Sequence, residues 1–295
     1  VTTIFGIPLQ GIMAQLALGL INGSFYALLS LGLAIIFGLL NVINFAHGAL
    51  YMMGAFAAWM LLNYAGIGFW PALVLAPLGV GLVGIAIERV FISRIYKLDH
   101  LYGLLLTFGL ALIIQGVFRN YYGVSGVPYS TPPSLTGAVN LGFMFLPKSR
   151  VFVIAFSLAI CLATWLVIEK TKIGAYLRAA TENPTLVEAF GINVPRLRTL
   201  TYGFGVALAG LAGVLAATTT NVSPNMGADR IIVVFAVVVI GGMGSIMGSI
   251  ITGFLLGLIE GVVNNFYQQA SSVVVFVVMV LVLLVRPAGL FGRSS

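Results

Sequence analysis

The sequence predicts an all-α polytopic membrane protein with about 8–9 membrane segments, its N-terminus outside and its C-terminus cytoplasmic. Two observations carry this. Charged residues make up only 7% of the 295, against roughly 25% in soluble domains, too few to cover a domain of this size in water. Apolar residues make up 60%, and they fall in runs approaching the ~20 residues that a membrane helix needs. Most of the surface must therefore meet lipid. The 36 glycines fit the same reading, because small residues let helices in lipid approach closely.

The runs are residues 12–40, 46–64, 69–87, 101–119, 151–168, 200–220, 231–263 and 271–285. The stretch 231–263 is interrupted by Gly241-Gly242-Met243-Gly244-Ser245 and reads as a Gly-broken hairpin. Orientation follows from the bases, which collect in cytoplasmic loops. Arg89, Arg94 and Lys97 form one cluster, Lys170, Lys172, Arg178, Arg196 and Arg198 a second, and Arg286 with Arg293 a third. With these inside, the alternation closes only if the 231–263 stretch starts and finishes outside. Arg119, Lys148, Arg150 and Arg230 then edge outer loops.

Residues 120–150 carry Gly126-Val127-Pro128 and Thr131-Pro132-Pro133, and read as an external loop. Residues 169–198 read as a cytoplasmic loop with a short helix at 185–190. Asn183-Pro184 supplies an N-cap and a first-turn proline. Gly191 suits the left-handed position past the helix end. The whole chain, 1–295, reads as a single transmembrane domain.

Several function classes are excluded. The net charge of +7 does not point to nucleic acid, since the bases sit in short loops between apolar runs rather than along a polar face. There is no phosphate-binding loop, no Cys/His zinc pattern and no constellation of catalytic side chains. No catalytic residue, metal site or cofactor is assigned to this chain. Cys161 is a packing residue within an apolar run. His100 reads as a loop residue, and residues 1–10 lack the basic start of a signal peptide.

Two breaks in the apolar pattern are candidates for a solute pathway. The first, at 41–48, contains Asn44, Phe45, His47 and Gly48; the second contains Gly241, Gly242, Gly244 and Ser245. Non-helical backbone at membrane depth is tolerated only inside protein or along a wet cavity. The spacing from Gly48 to Gly54 equals that from Gly242 to Gly248, and paired Gly-broken segments in the two halves point to a transport site. A surface turn at the first break and close helix packing at the second fit as well. On the pathway reading the breaks face each other, with Phe45, Met52 and Met243 as an apolar wall. Glu260 is the one carboxylate well inside an apolar run; a proton-relay group fits it, and a hydrated or hydrogen-bonded place near the outer boundary fits it better.

Taken together, the blocks resemble those of LivH-type permeases of branched-chain amino acid ABC importers, over nearly the whole chain. The blocks are Asn22-Gly23-Ser24-Phe25-Tyr26-Ala27-Leu28, Asn44-Phe45-Ala46-His47-Gly48 with Tyr51-Met52-Met53-Gly54, and Ile87-Glu88-Arg89-Val90. Arg178-Ala179-Ala180, Glu188-Ala189-Phe190-Gly191-Ile192, Val239 through Ser245, and Arg286 through Gly292 complete the set. The resemblance implies a permease for branched-chain amino acids or related small polar solutes. It implies a second homologous permease chain, two cytoplasmic ATPase subunits that use ATP, and an external solute-binding protein, with lipid around the helices. It also places ATPase coupling on Leu186, Val187, Glu188, Ala189, Phe190 and Gly191, although Phe190 departs from the Glu-Ala-Ala form of other importers. The competing class is an ion-coupled secondary transporter or channel for a small solute such as urea or an amide, for which more intramembrane carboxylates are expected.

Overall fold

The computed structural model describes residues 3–4, 7–40, 42–96 and 98–292. Asn41 of the first break, Lys97 and Arg293 of the base clusters, and part of the 1–10 stretch lie outside the described residues. The chain is helical nearly throughout. The elements are α1 (Leu9–Leu40), α2 (Ala46–Ala65), α3 (Phe69–Val90), α4 (His100–Tyr122), α5 (Lys148–Lys170), α6 (Lys172–Glu182), α7 (Pro184–Ala189), α8 (Val194–Ala217), α9 (Met226–Gly241), α10 (Ile246–Phe266) and α11 (Gln268–Val285). Among the described residues, six stretches are long and apolar enough to cross a membrane: Leu9–Gly38, Phe69–Arg94, Leu101–Tyr122, Lys148–Lys170, Val194–Ala217 and Ile246–Phe266. His100, expected in a loop, opens α4 instead, capped by Asp99, which accepts from the Leu101 N–H at 2.9 Å.

α1 and α8 form the centre, with 83% of the apolar stretch of each buried, whereas α4 is only 11% buried and α5 28%. α4 presents Leu105, Leu112, Ile113 and Val117 outward, a face suited to lipid or another chain. Glycine sets the closest approach in the centre. A Cβ on Gly257 of α10 would stand 2.3 Å from the Gly23 nitrogen and 2.4 Å from the Gly19 oxygen of α1. Gly19 lies against Gly261, Gly23 against Gly253, and Gly38 against Gly244, so α1 and α10 run antiparallel.

Each end of the bundle has its own furniture. At one end, residues 123–147 form a connector in which Ala138–Asn140 pairs antiparallel with Phe145–Pro147. Val127 and Val222 exchange backbone hydrogen bonds at 2.8 and 3.0 Å, tying this connector to the α8–α9 link. At the other end lie the finish of α1, the 241–245 break, α6 and the tail from Arg286 to Gly292. There Arg178 donates to the Ile168 carbonyl at 3.0 Å and pairs with Glu169 at 3.4 Å, folding α6 back onto α5. Ala180, Val187 and Val194 make a small core under α6 and α7.

Candidate functional site

The first break is not a surface turn. α2 begins beside the middle of α1, where the His47 Nε2 lies 3.1 Å from the Leu29 carbonyl oxygen. Leu29 precedes the end of α1 by about 17 Å of helix, at 1.5 Å per residue. After Leu40 the chain therefore turns back into the helix layer before α2 starts. Asn44 and His47 are buried there, at 1% and 0% exposure. The irregular backbone is held by Thr107 of α4, also fully buried. Its hydroxyl accepts from the Phe45 N–H at 3.1 Å and sits 3.1 Å from the Ile43 carbonyl, to which it can donate. The His47 N–H bonds the Asn44 carbonyl at 3.3 Å. The Asn44 amide adjoins the Tyr202 hydroxyl, but neither group reaches hydrogen-bonding geometry, nor does His47 Nδ1.

Phe45 stacks on Phe235 at 5.8 Å and meets Phe108 edge-on at 6.4 Å. With Gly48, Gln115, Gly227 and Ile231 it lines a mostly apolar cavity of about 190 Å³. A Cβ on Gly227 would lie 2.1 Å from the Gly48 oxygen, so α2 and α9 begin in backbone contact.

The second break stands elsewhere. A Cβ on Gly38 would lie 2.3 Å from the Gly244 Cα, and Gly38 is about 14 Å further along α1 than Leu29. The two breaks thus occupy successive levels of one helix rather than facing each other. Nor do Phe45, Met52 and Met243 share a wall. Met52 is fully buried in the core, while Met243 is 54% exposed at the tail end. Ser245 caps α10, its hydroxyl accepting from the Gly248 N–H at 3.1 Å. Gly241 carries a tail contact, accepting from the Phe291 N–H at 3.1 Å, and Gly242 and Gly244 adopt φ of 99° and 87°. A cavity of about 660 Å³ separates this break from α5 and α6, lined by Trp165, Glu169, Arg178, Met243 and Gly244 among others.

The short helix in the 169–198 loop forms as the sequence indicates. Asn183 accepts from the Leu186 N–H at 3.0 Å, Pro184 opens α7, and Gly191 follows at φ 82°. Leu186, Glu188, Ala189, Phe190 and Gly191 are exposed, with Phe190 at 78%. Val187 points the other way, into the core shared with Ala180 and Val194.

Two polar clusters escaped the sequence reading. Glu88 of α3 is buried at 2% exposure and accepts from the Tyr96 hydroxyl at 2.9 Å and the Thr199 hydroxyl at 2.7 Å. Burial, and then the Glu88 carboxylate, push the Tyr96 phenol up, so it stays a neutral donor. Arg198 lies over the Tyr96 ring at 5.4 Å. This cluster joins α3 to the start of α8. The other joins three helices: Tyr26 of α1 donates to Glu260 of α10 at 2.8 Å and accepts from Arg230 of α9 at 3.2 Å. Arg230 was expected at a loop edge, yet it stands one turn inside α9. A signal for it was available, since Arg230 borders the start of the Gly-broken hairpin and Glu260 stands near its finish, which brings opposite charges to one end of the two arms.

Residues 15–283 match the family model described as the branched-chain amino acid transport system / permease component. The chain is 30% identical to the high-affinity branched-chain amino acid transport system permease protein BraD of Pseudomonas aeruginosa, over 96% of each chain. It is 31% identical to the corresponding LivH of Escherichia coli K12, again over 96% of each. LivM of the same Escherichia coli strain is 27% identical, over 91% of this chain and 68% of its own length. No solved structure matches this chain.

Proposed function

This chain belongs to the branched-chain amino acid transport permease family, and we propose that it is the membrane-spanning permease subunit of an ATP-driven ABC importer that carries branched-chain amino acids inward across the cell (inner) membrane. The observation that carries this is the end-to-end match to permeases of that transport class. The relatives lend no support to an ion-coupled transporter or channel. Escherichia coli K12 has two permeases, LivH and LivM, that both resemble this chain, which favours pairing with a second homologous permease. Two cytoplasmic ATPase subunits would use ATP, and an external binding protein would deliver solute. The base-rich loops favour a cytoplasmic position for the end bearing α6, α7 and the tail, and on this reading α2, α9 and α11 complete the membrane segments.

On this reading the solute path descends along α1. Asn44, Phe45, His47 and Gly48 stand at its middle level, and Gly241, Gly242, Gly244 and Ser245 near its inner mouth. Leu186, Glu188, Ala189, Phe190 and Gly191 meet the ATPase, while Val187 anchors their helix from beneath. Reconstitution in liposomes with partner ATPases and a binding protein tests the proposal. ATP-dependent uptake of leucine, isoleucine or valine is expected, and its absence for all three overturns it.

A further inference from the structure

The cluster of Tyr26, Arg230 and Glu260 has the chemistry of a ligand site. Two cavities, of about 310 and 400 Å³, meet there and share Phe25, Thr220, Arg230, Glu260 and Ser271 in their walls. That is the size of small-molecule pockets, which start near 300 Å³. Among the described residues Arg178–Glu169 is the one ion pair within 4.0 Å. Arg230 and Glu260 therefore do not touch, and the Tyr26 hydroxyl stands between them.

This spacing is a poor match for a purely structural pair, even though both side chains are only partly buried. Two opposite charges taken out of water recover their desolvation only through close contact and full hydrogen bonding. Here Arg230 makes one hydrogen bond, through Nη1, and Glu260 accepts one, through Oε2. Four guanidinium N–H groups and one carboxylate oxygen remain to be used. A small molecule with an anionic and a cationic group would complete both. A guanidinium fork matches a carboxylate in two parallel bonds, and Glu260 Oε1 suits an ammonium. Beside the charges stand apolar groups, Leu18 and Ile21 in one cavity, Val233 and Val275 in the other. Arg150 in the first cavity and Asp229 in the second add one charge of each sign.

We propose that Arg230 and Glu260 form a binding site for the zwitterionic head of an α-amino acid, with the carboxylate on Arg230, the ammonium on Glu260 and the aliphatic side chain against the apolar wall. This rests on the importer reading above and deepens it, because the walls of the site reach Arg150 and Thr220 at the connector end, where delivered solute would arrive.

The test uses the intact importer in lipid nanodiscs and three probes: L-leucine, leucinamide without the carboxylate, and 4-methylpentanoate without the amine. Wild type should favour leucine over both. Arg230→Gln should weaken leucine binding by about tenfold or more, a loss of at least ~1.4 kcal/mol, while leaving leucinamide unchanged. Glu260→Gln should do the same for leucine while leaving 4-methylpentanoate unchanged. Probe preferences in both variants identical to wild type overturn the site. Should the variants not assemble, Ser271→Cys in a Cys161→Ser background reads the cavity directly. Leucine should slow its modification by an impermeant thiol reagent added from outside, and leucinamide should not. Equal rates with and without leucine overturn the site. Protection without any leucine uptake by the reconstituted importer would keep the site and remove the importer reading.

Discussion

The Nε2 of His47 lies 3.1 Å from the carbonyl oxygen of Leu29, so the second helix starts beside the middle of the first. A chain that must double back inside a lipid-facing bundle needs protein partners for its backbone. His47, Thr107 and the neighbouring glycines supply them, which makes this junction sensitive to single changes.

His47→Ala removes the contact to Leu29 and leaves a void where a buried imidazole stood. A buried hydrogen bond contributes about 0.5–1.5 kcal/mol, and the void adds to the loss. We expect a lower melting temperature in detergent and reduced uptake by the reconstituted complex. Wild-type values for both would show that α2 is placed by its glycine contacts alone.

Thr107→Val keeps the shape and deletes the hydroxyl. The Phe45 N–H, bonded to that hydroxyl at 3.1 Å, then loses its partner in a buried place. An orphaned buried donor costs about 1–3 kcal/mol. Thr107→Ser should behave as wild type in thermal unfolding. Equal losses in the Val and Ser variants would mean that the methyl group, not the hydroxyl, is what matters.

Gly257→Ala places a Cβ within 2.4 Å of α1 backbone atoms. Backbone cannot step aside as a side chain can, so the helices must part, at a cost of about 1–3 kcal/mol. Gly79→Ala is the control, because nothing lies within 4 Å of a Cβ there. Its unfolding temperature should hold or rise, given the better helix propensity of Ala. A Gly257→Ala protein as stable as wild type would contradict the close α1–α10 approach.

Most of this architecture is legible in the sequence, and the exceptions have a common cause. Long apolar runs mark helices whatever surrounds them, so α1, α3, α5 and α11 start and end within three residues or so of the apolar pattern. The α7 boundaries follow from Asn183, Pro184 and Gly191, whose local chemistry needs no tertiary context. What hydropathy cannot convey is depth. Asn44 and His47 have the same polarity in a surface turn as beside Leu29. Arg230 reads as a loop-edge base because it borders an apolar run, although the Tyr26 hydroxyl receives it within the bundle and donates in turn to Glu260. Likewise the equal spacing of Gly48–Gly54 and Gly242–Gly248 suggests one role but serves different contacts: Gly48 meets Gly227, and Gly248 meets Gly241.

Phe190 is 78% exposed at the end of α7, on the same short helix as exposed Leu186. An aromatic and an aliphatic side chain on a short helix are suited to fill a groove on a partner. Phe190→Ala should lower solute-stimulated ATP hydrolysis by the assembled importer several-fold, without changing the amount of permease in the membrane. Val187→Ala should instead lower stability, because Val187 packs against Ala180 and Val194. Full ATPase stimulation in the Phe190 variant would move the docking surface elsewhere.

Gly242→Val separates two explanations of the second break. Gly242 has φ 99°, a conformation that costs a β-branched residue about 1–3 kcal/mol. Its Cβ would also stand 2.4 Å from the Gly292 nitrogen. The residues it would strike are those that finish α9: the Leu290 N–H bonds the Ile240 carbonyl at 2.8 Å and the Phe291 N–H bonds the Gly241 carbonyl at 3.1 Å. The last carbonyls of a helix need such partners. The tail is thus a cap on α9, and valine at 242 should release it. We expect faster limited proteolysis after Arg286 in that variant, together with reduced uptake. Deleting the chain from Gly289 onward removes the same cap without adding bulk beside the break. Matching losses in the two proteins would assign Gly242 to holding the tail. Full uptake by the deletion, with none by Gly242→Val, would instead assign the glycine to the path itself.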